Sequence, residues 1–179
     1  MMKKKTLLML VLAVAMVFSL AACGGGGGGN DEVKGETFDV GNFTVLVPEG
    51  WEAVPVDDVW NDDPAVTNPD NVNIYKVTGD TLDQWNDPAV NVVTGSVGSN
   101  SLEGMKNFYD DVKDLDEQKI GNLTWNGFTG SSMGYNLAML WAEDGDNYFQ
   151  VTIWMNMSNG ELKVEDADVQ AILGSVAHK

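Results

Sequence analysis

Few residues in this chain could do covalent chemistry, and the first candidate is a serine. Residues 130–134, Gly-Ser-Ser-Met-Gly, match G-x-S-x-G, the pattern of a nucleophile elbow. That elbow needs a strand, a sharp turn and a helix, with a histidine base elsewhere in the chain. Strand-like sequence follows the match instead, and His178, the only histidine, lies next to the last residue, where we expect a frayed end. The pattern therefore favours small residues in a strand, and we predict no catalytic residue here.

Carboxylates are the second candidate chemistry, because 27 Asp and Glu residues are present. A single histidine argues against zinc and most transition metals, which need several His or Cys ligands. Calcium takes oxygen ligands from Asp, Asn and carbonyl groups, so the polar segment 57–71 could bind it, although solvated turn residues explain that segment as well. The calcium candidates in this segment are Asp57, Asp58, Asp62 and Asp63. A carboxylate pair could also hydrolyse a glycosidic bond, but among so many acids some pair always lies at a catalytic distance.

Tryptophan is the candidate for a recognition surface. Of the six tryptophans, Trp60 and Trp85 lie in polar segments beside Asn and Asp, whereas we expect most of the others to fill a core. Exposed aromatic side chains mark contact surfaces. We therefore predict that Trp60 and Trp85 contact a partner.

The charge balance narrows the class of partner. Ten lysines and no arginine give a formal net charge of −17. Nucleic acid and phosphate ligands are held by Arg and Lys, and anionic lipid headgroups attract the same residues. We therefore exclude nucleic acid and direct headgroup docking, and we interpret the acidity mainly as a source of solubility.

The N-terminus carries the signals for export. Three lysines at positions 3–5 precede an apolar run over 7–20, which has the length of a signal h-region and is too short to span a bilayer. Leu20-Ala21-Ala22-Cys23 resembles the lipobox of bacterial lipoproteins. That resemblance implies cleavage before Cys23 and a diacylglyceryl group on its sulfur, and two acyl chains anchor a protein stably. The alternative is a buried structural cysteine after an ordinary signal peptide.

These features divide the chain into three parts. We predict a lipoprotein signal peptide over 1–22, a lipidated Cys23 with a flexible glycine-rich tether over 23–35, and a single domain over 36–179. Without residues 1–22, seven lysines face all 27 acidic residues, a formal charge of −20. Cys23 is the only cysteine, so the domain must fold without disulfides.

Periodicity and turn residues predict the elements of the domain. Alternating apolar residues predict strands over 72–77 and 89–94 and three hairpins, which turn around 41–42, 126–127 and 144–146. Apolar residues three and four apart predict a helix from an Asn100 cap through 102–115, and Asp166 caps a second helix that buries Val169, Ile172, Leu173 and Val176. We therefore expect an α+β fold, with a largely antiparallel sheet of about six strands flanked by helices.

The order of these elements resembles the PsbP-like family. The features that carry the resemblance are a strand leading into Val47-Pro48-Glu49-Gly50-Trp51, the mid-chain helix, the 121–130 hairpin, the aromatic strand 148–155 and the final helix. The resemblance implies an antiparallel sheet flanked by helices and a non-catalytic binding or assembly role. It transfers no functional residue, and segment 57–71 matches no part of the family pattern.

Together these observations favour a lipoprotein that acts as a non-catalytic binding or assembly module. The diacylglyceryl group on Cys23 would hold it in the bilayer, on the outer face of the bacterial cytoplasmic membrane or on another envelope membrane. Its partner would be an envelope protein or a cell-wall component. The alternatives are a carboxylate-dependent cell-wall hydrolase, a calcium-binding surface protein and a structural spacer without a ligand. Exchanging one specific Asp for Asn would inactivate the hydrolase, whereas a binding module would fail on loss of an exposed tryptophan.

Overall fold

The computed structural model describes residues 33–63 and 65–179. Its elements in chain order are β1 (Gly35–Asp39), β2 (Phe43–Pro48), β3 (Trp51–Asp57), β4 (Thr67–Lys76), β5 (Ala89–Ser96), α1 (Leu102–Lys106), β6 (Asp110–Ile120), β7 (Leu123–Ser132), β8 (Tyr135–Asp144), β9 (Asn147–Trp154), β10 (Asn156–Met157), β11 (Gly160–Glu161), α2 (Ala167–Ser175) and β12 (Ala177–His178). Within the described ranges, neither helix is long and apolar enough to cross a membrane.

Seven strands form the main sheet in the order β3-β4-β5-β9-β8-β7-β6, and every neighbouring pair is antiparallel. Strands β1, β2 and β12 form a small second sheet, and β10 pairs with β11. The predicted antiparallel sheet is confirmed. It has seven strands where about six were predicted, and the two helices are only five and nine residues long. The fold is therefore mostly β.

The main core lies on one face of the large sheet, against β2 and α2. Alternate residues of three central strands point into it: Val72 and Ile74 of β4, Val90 and Val92 of β5, and Phe149, Val151 and Ile153 of β9. Asp166 is the N-cap of α2, and this helix buries Val169, Ile172 and Leu173, as its periodicity predicts. Alternation along these three strands thus gives them one apolar face.

The C-terminus is not frayed, so the prediction for His178 is wrong. Strand β12 pairs with β2, and Nε2 of His178 lies 2.9 Å from Oγ1 of Thr94. The imidazole ring also packs 4.1 Å from the ring of Phe149, centroid to centroid. An ion pair between Lys179 and Asp39 also holds the C-terminus in place. The last residues are held because they add a strand to the smaller sheet.

The predicted helix over 102–115 is wrong beyond Lys106. Ser101, and not Asn100, is the cap of α1, because its Oγ accepts a hydrogen bond from the amide of Gly104. From residue 110 onward the chain is strand β6, with register shifts against β7 at 110–113 and 115–118.

The spacing of half-buried residues in β6 explains this error. Val112 packs with the α1 segment on one face of the sheet, and Leu115 packs with the main core on the other. The second irregularity then places Gln118 opposite Trp125, on the same face as Leu115. Val112 and Leu115 are three residues apart because they face opposite sides of the sheet, and Leu115 and Gln118 are three apart because a bulge adds one residue between side chains that share a face. Half-buried residues therefore recur every third position, as they do in a helix.

The predicted turn at Asn126-Gly127 is also wrong, because both residues lie inside β7. The turns that flank β7 lie at residues 121–122 and 133–134, where Gly121, Met133 and Gly134 have positive φ. Gly127 is needed for packing, since a Cβ there would come within 2.4 Å of the carbonyl oxygen of Met139. A close approach of two strands thus explains this glycine.

The other turn and strand predictions are confirmed. The chain turns between β1 and β2 at residues 41–42 and between β8 and β9 at 145–146. Strands β4 and β5 contain the predicted strands over 72–77 and 89–94, apart from Val77. Strand β4 begins earlier than predicted, at Thr67, which pairs with Asp57, so the last third of the polar segment 57–71 is strand and not a loop.

Candidate functional site

The site lies on the face of the main sheet opposite α2. A second apolar cluster, built on Phe128, Leu137 and Met139 and covered by α1, fills the β7–β8 end of this face. Over β4 and β5 the face is polar and only half buried. Here the amide of Asn91 donates to the side-chain oxygens of Asn71 and Asn73, at 2.7 and 2.9 Å. This end of the face is therefore polar and hydrogen-bonded, unlike the cluster under α1.

Strand register creates a groove at the edge of this face. Tyr75 of β4 lies opposite Ala89 of β5, and the pairing of Val90 with Ile153 brings Ala89 opposite Trp154 of β9. A small residue therefore sits between two large aromatic ones. Because side chains of paired residues lie side by side, the methyl group of Ala89 forms a floor between two aromatic walls.

Loops and turns complete this groove, which has a volume of about 330 Å³ and which we call the Trp85 groove. Its large side chains are Tyr75, Trp85, Met133, Tyr135, Trp154 and Met157. The rings of Tyr135 and Trp154 meet edge to face, with centroids 6.4 Å apart. Aromatic and methionine side chains around a few polar groups are typical of binding pockets.

A buried carboxylate fixes the loop that presents Trp85. Asp87 is fully buried and accepts hydrogen bonds from the hydroxyl of Thr78, the amide of Asp83 at 2.9 Å and the side-chain amide of Asn159 at 3.0 Å. Asp83 in turn accepts a hydrogen bond from the amide of Trp85 at 3.1 Å. The indole is 86% exposed, but the backbone that carries it is tied at several points.

Two pKa shifts describe the electrostatics of the groove. Burial disfavours the ionised form of Asp87, but the hydrogen bonds from Thr78, Asp83 and Asn159 outweigh burial and hold its pKa below the ordinary value. Burial raises the pKa of the Tyr75 phenol, so this group is neutral at pH 7. The ionised group of the groove at neutral pH is therefore a carboxylate.

Met133 occupies an unusual position at the mouth of the groove. It is 95% exposed at the tip of the β7–β8 turn, with φ of 54°, and Gly134 follows with φ of 89°. Two positive φ values are the geometry of a type I′ turn, for which Asn-Gly is the preferred pair. A methionine here gains no burial and strains the backbone. Such a breach of local preference is expected at functional sites.

The structure separates the two tryptophans that we predict to form one recognition surface. Trp60 is 92% exposed in the β3–β4 loop, where its amide donates to the carboxylate of Asp58 at 3.0 Å. Trp85 lies in the loop at the other end of β4. Ten residues of strand at about 3.3 Å each put roughly 30 Å between the two loops. One small ligand cannot contact both side chains.

The calcium candidates Asp57, Asp58, Asp62 and Asp63 lie along the β3–β4 connection. Asp58 and Asp63 accept hydrogen bonds from backbone amides two residues later, those of Trp60 and Ala65, as turn residues do. Within 33–63 and 65–179, no three His, Cys, Asp or Glu side chains are grouped so that they could hold a metal ion. Calcium binding by these four residues stays a prediction.

The serine pattern at 130–134 does not form a nucleophile elbow. Residues 130–132 end strand β7, residues 133–134 form the turn, and another strand follows. An elbow requires a helix after the turn. Small residues in a strand therefore explain the match, as the sequence indicates. Cys23, the signal peptide over 1–22 and most of the tether lie outside the described residues.

A second groove of about 380 Å³ lies between the β1–β2 hairpin and β3. Of its two aromatic side chains, Phe38 packs against the main core, and Trp51 makes contacts within the domain. The indole nitrogen of Trp51 donates to Asp168 at 3.1 Å, and the ammonium of Lys76 lies 5.8 Å from the ring centroid. Trp51 therefore helps to fix α2 against the sheet, and the Trp85 groove is the better candidate for a binding site.

Tyr75, Tyr135 and Met133 are site residues that the sequence analysis missed. The alternation of β9 does place Trp154 on a half-polar face, which is the one local signal for the groove. The other groups come together only through strand order and register, since β4 and β8 are separated by two strands in the sheet and by more than fifty residues in the chain.

Comparison with known proteins was made by family, by curated sequence and by solved structure. No family model matches the chain, and no curated protein matches it. Among solved structures, the chain is similar to the solution structure of cyanobacterial PsbP (CyanoP) from Synechocystis sp. PCC 6803. The two share 11% sequence identity with a TM-score of 0.41, over 88% of this chain and 99% of that one.

Proposed function

We propose that this chain is an exported, lipid-anchored lipoprotein whose domain is a non-catalytic binding module, and that an envelope protein docks in the Trp85 groove. The observation that carries the proposal is a large indole exposed on a loop that is fixed by a buried carboxylate. An exposed tryptophan on a rigid support loses little entropy when a partner covers it. Tryptophan and tyrosine are also the side chains most often found at the energetic centre of protein interfaces.

Docking in the Trp85 groove would restrict the contact with the partner protein to one end of the main sheet. Trp60 lies about 30 Å away and is not among the residues that line the Trp85 groove. The partner is therefore expected to depend on Trp85 and to tolerate the loss of Trp60. The proposed binding surface is therefore smaller than the one predicted from the sequence, which includes both tryptophans.

The predicted lipid anchor on Cys23 is consistent with a role in binding an envelope partner. A diacylglyceryl group on Cys23 would keep the domain at the membrane, where an envelope partner is concentrated. In the Cys23→Ser variant the mature protein should leave the membrane fraction and lose its lipid mass. If the variant stays in the membrane and instead unfolds more easily, Cys23 is a structural residue and the anchor is wrong.

Photo-crosslinking in intact cells tests the docking site. A benzophenone amino acid placed at Gln84, which lines the groove, should give a discrete adduct whose partner is identified by mass spectrometry. The same group at Asp62, exposed in the Trp60 loop, is the matched control and should give none. The adduct should disappear when Trp85→Ala is added. An adduct from Asp62 alone, or none from either position, contradicts docking in the groove.

A further inference from the structure

The Trp85 groove contains negative charge without a compensating cation. Its ionised side chain is Asp87, and the loop that forms one wall also carries Asp80 and Asp83. No lysine is among the described residues that line the groove, and the chain has no arginine. With a net charge of −17 around it, the groove attracts cations and repels anions.

Aromatic faces in the groove add to this attraction. The face of an aromatic ring is electronegative, and a Lys or Arg group within about 6 Å of the centroid is bound by it, most strongly over tryptophan. The domain already makes one such contact, between Lys76 and Trp51 on the other side of β4. Trp85, whose indole is largely exposed, offers an equivalent face to a partner.

The methionines suit the rest of a basic side chain. Lys and Arg carry an aliphatic stem of three or four methylene groups beneath the charge. Met133 and Met157 line the groove beside the rings, and thioether side chains adapt their shape to apolar stems. A volume of about 330 Å³ is enough for one such side chain with part of its backbone.

We propose that the Trp85 groove recognises a lysine or arginine side chain on a segment of the partner protein, with its charge against the aromatic rings and its stem against Met133 and Met157. This inference rests on the proposed function and names the chemistry of the partner. A neutral glycan stacked on the indole is the competing ligand, and the experiment below separates the two.

The test is an NMR titration of the detergent-solubilised full-length chain at physiological salt. Its readout is the indole N–H signal of Trp85, assigned with Trp85→Phe, and the signal of Trp60 is the internal control. Tetralysine should shift the Trp85 signal in a saturable way. Its fully acetylated analogue, which has the same length and no side-chain charge, should not.

Three variants sharpen the result. Trp85→Ala should weaken tetralysine binding by about five-fold or more, as loss of a cation–π contact implies, whereas Trp60→Ala should leave the affinity unchanged. Both side chains are exposed, so neither variant should unfold the domain. Met133→Asn should weaken binding while the melting temperature rises, because Asn is preferred in this turn.

Three results would overturn the inference. Equal binding of the acetylated peptide would remove the role of charge. Equal shifts at Trp60 and Trp85 would show diffuse attraction to an acidic protein. A shift of Trp85 with chitotetraose, but not with tetralysine, would assign the groove to glycans. If the crosslinked protein adduct still forms in any of these cases, the proposed function stands and only the chemistry of its ligand is wrong.

Discussion

Asp87 shows how one buried residue can support a binding site. Its carboxylate is buried and joins Thr78, Asp83 and Asn159, and through Asp83 it fixes the amide of Trp85. A buried carboxylate that accepts several hydrogen bonds stabilises the folded state, whereas the same group without partners would destabilise it. The orientation of the exposed indole therefore depends on an ionised group beneath it.

We predict that Asp87→Asn destabilises the domain by about 1–3 kcal/mol at neutral pH, because an amide places a donor against the amide of Asp83. Urea unfolding measures this change. Asp80→Asn, an exposed position in the same loop, is the control and should have little effect. An equal loss of unfolding free energy in both variants would mean that the charge of the loop, and not the buried hydrogen bonds, determines its stability.

The same variant carries a pH dependence. The folded pKa of Asp87 lies below the ordinary value of about 4, so its ionised form stabilises the fold above that pH. This stabilisation is lost as the pH falls through the lowered folded pKa. The difference in unfolding free energy between wild type and Asp87→Asn should therefore be largest at neutral pH and shrink below about pH 4. A difference that does not change with pH would exclude a role for ionisation.

The exposure of Trp85 can be predicted from the sequence, but the buried Asp87 that supports its loop cannot. Trp85 stands out because an indole is surrounded by Asp and Asn, and its exposure follows from that setting. The partners of Asp87 lie as many as 72 residues away in the chain, so no local pattern predicts that this acid, among 27, is buried.

At the scale of elements, the edge strands of the main sheet are protected against pairing. Strand β6 carries two irregularities, and five of its eleven residues are acidic, while β3 has a register shift after Pro55. Bulges, charges and proline are devices that prevent a free edge from adding another strand. The irregularity between Leu115 and Gln118 also contributes to the spacing of half-buried residues that suggests a helix.

Substitution of Asp111 tests whether residues 110–116 form a strand or a helix. It has φ of 53°, in the left-handed region that glycine adopts freely, whereas Asp116 in the same strand does not have a positive φ. We predict that Asp111→Gly is neutral or stabilises by up to about 1 kcal/mol, and that Asp116→Gly destabilises by about 0.5–1 kcal/mol. Thermal unfolding of both variants decides the matter. Were residues 110–116 helical, both glycines would destabilise.

The elements that the sequence predicts correctly are those with regular alternation and short turns. Strand β9 alternates without interruption, and its hairpin with β8 closes at 145–146 as predicted. Two of the errors, the helix over 107–115 and the turn at 126–127, arise where the structure breaks local rules. A bulge changes the period of buried residues, and Gly127 is required by the approach of Met139 in the neighbouring strand.

The whole molecule combines a disulfide-free core with an extreme charge. Residues from distant elements meet in one core, and the short strand β12 at the C-terminus pairs with β2, near the N-terminus of the domain. Composition alone predicts a single domain, and alternation predicts an antiparallel sheet. The position of β12 and the order of the seven strands depend on contacts across the whole chain, so no segment predicts them.

The net charge of −17 leads to the last prediction, which concerns salt and calcium. Self-repulsion among exposed carboxylates destabilises the compact state, and salt shortens the Debye length from about 30 Å at 0.01 M to about 3 Å at 1 M. The melting temperature of residues 33–179 should therefore rise with sodium chloride, and a fall would show that repulsion is not a significant term.

Calcium and magnesium are then compared at equal ionic strength. Equal rises mean screening alone, whereas a larger rise with calcium means binding, which adds RT ln(1 + [L]/Kd). If that extra rise disappears when Asp62 and Asp63 are both changed to Asn, the β3–β4 connection is the calcium site.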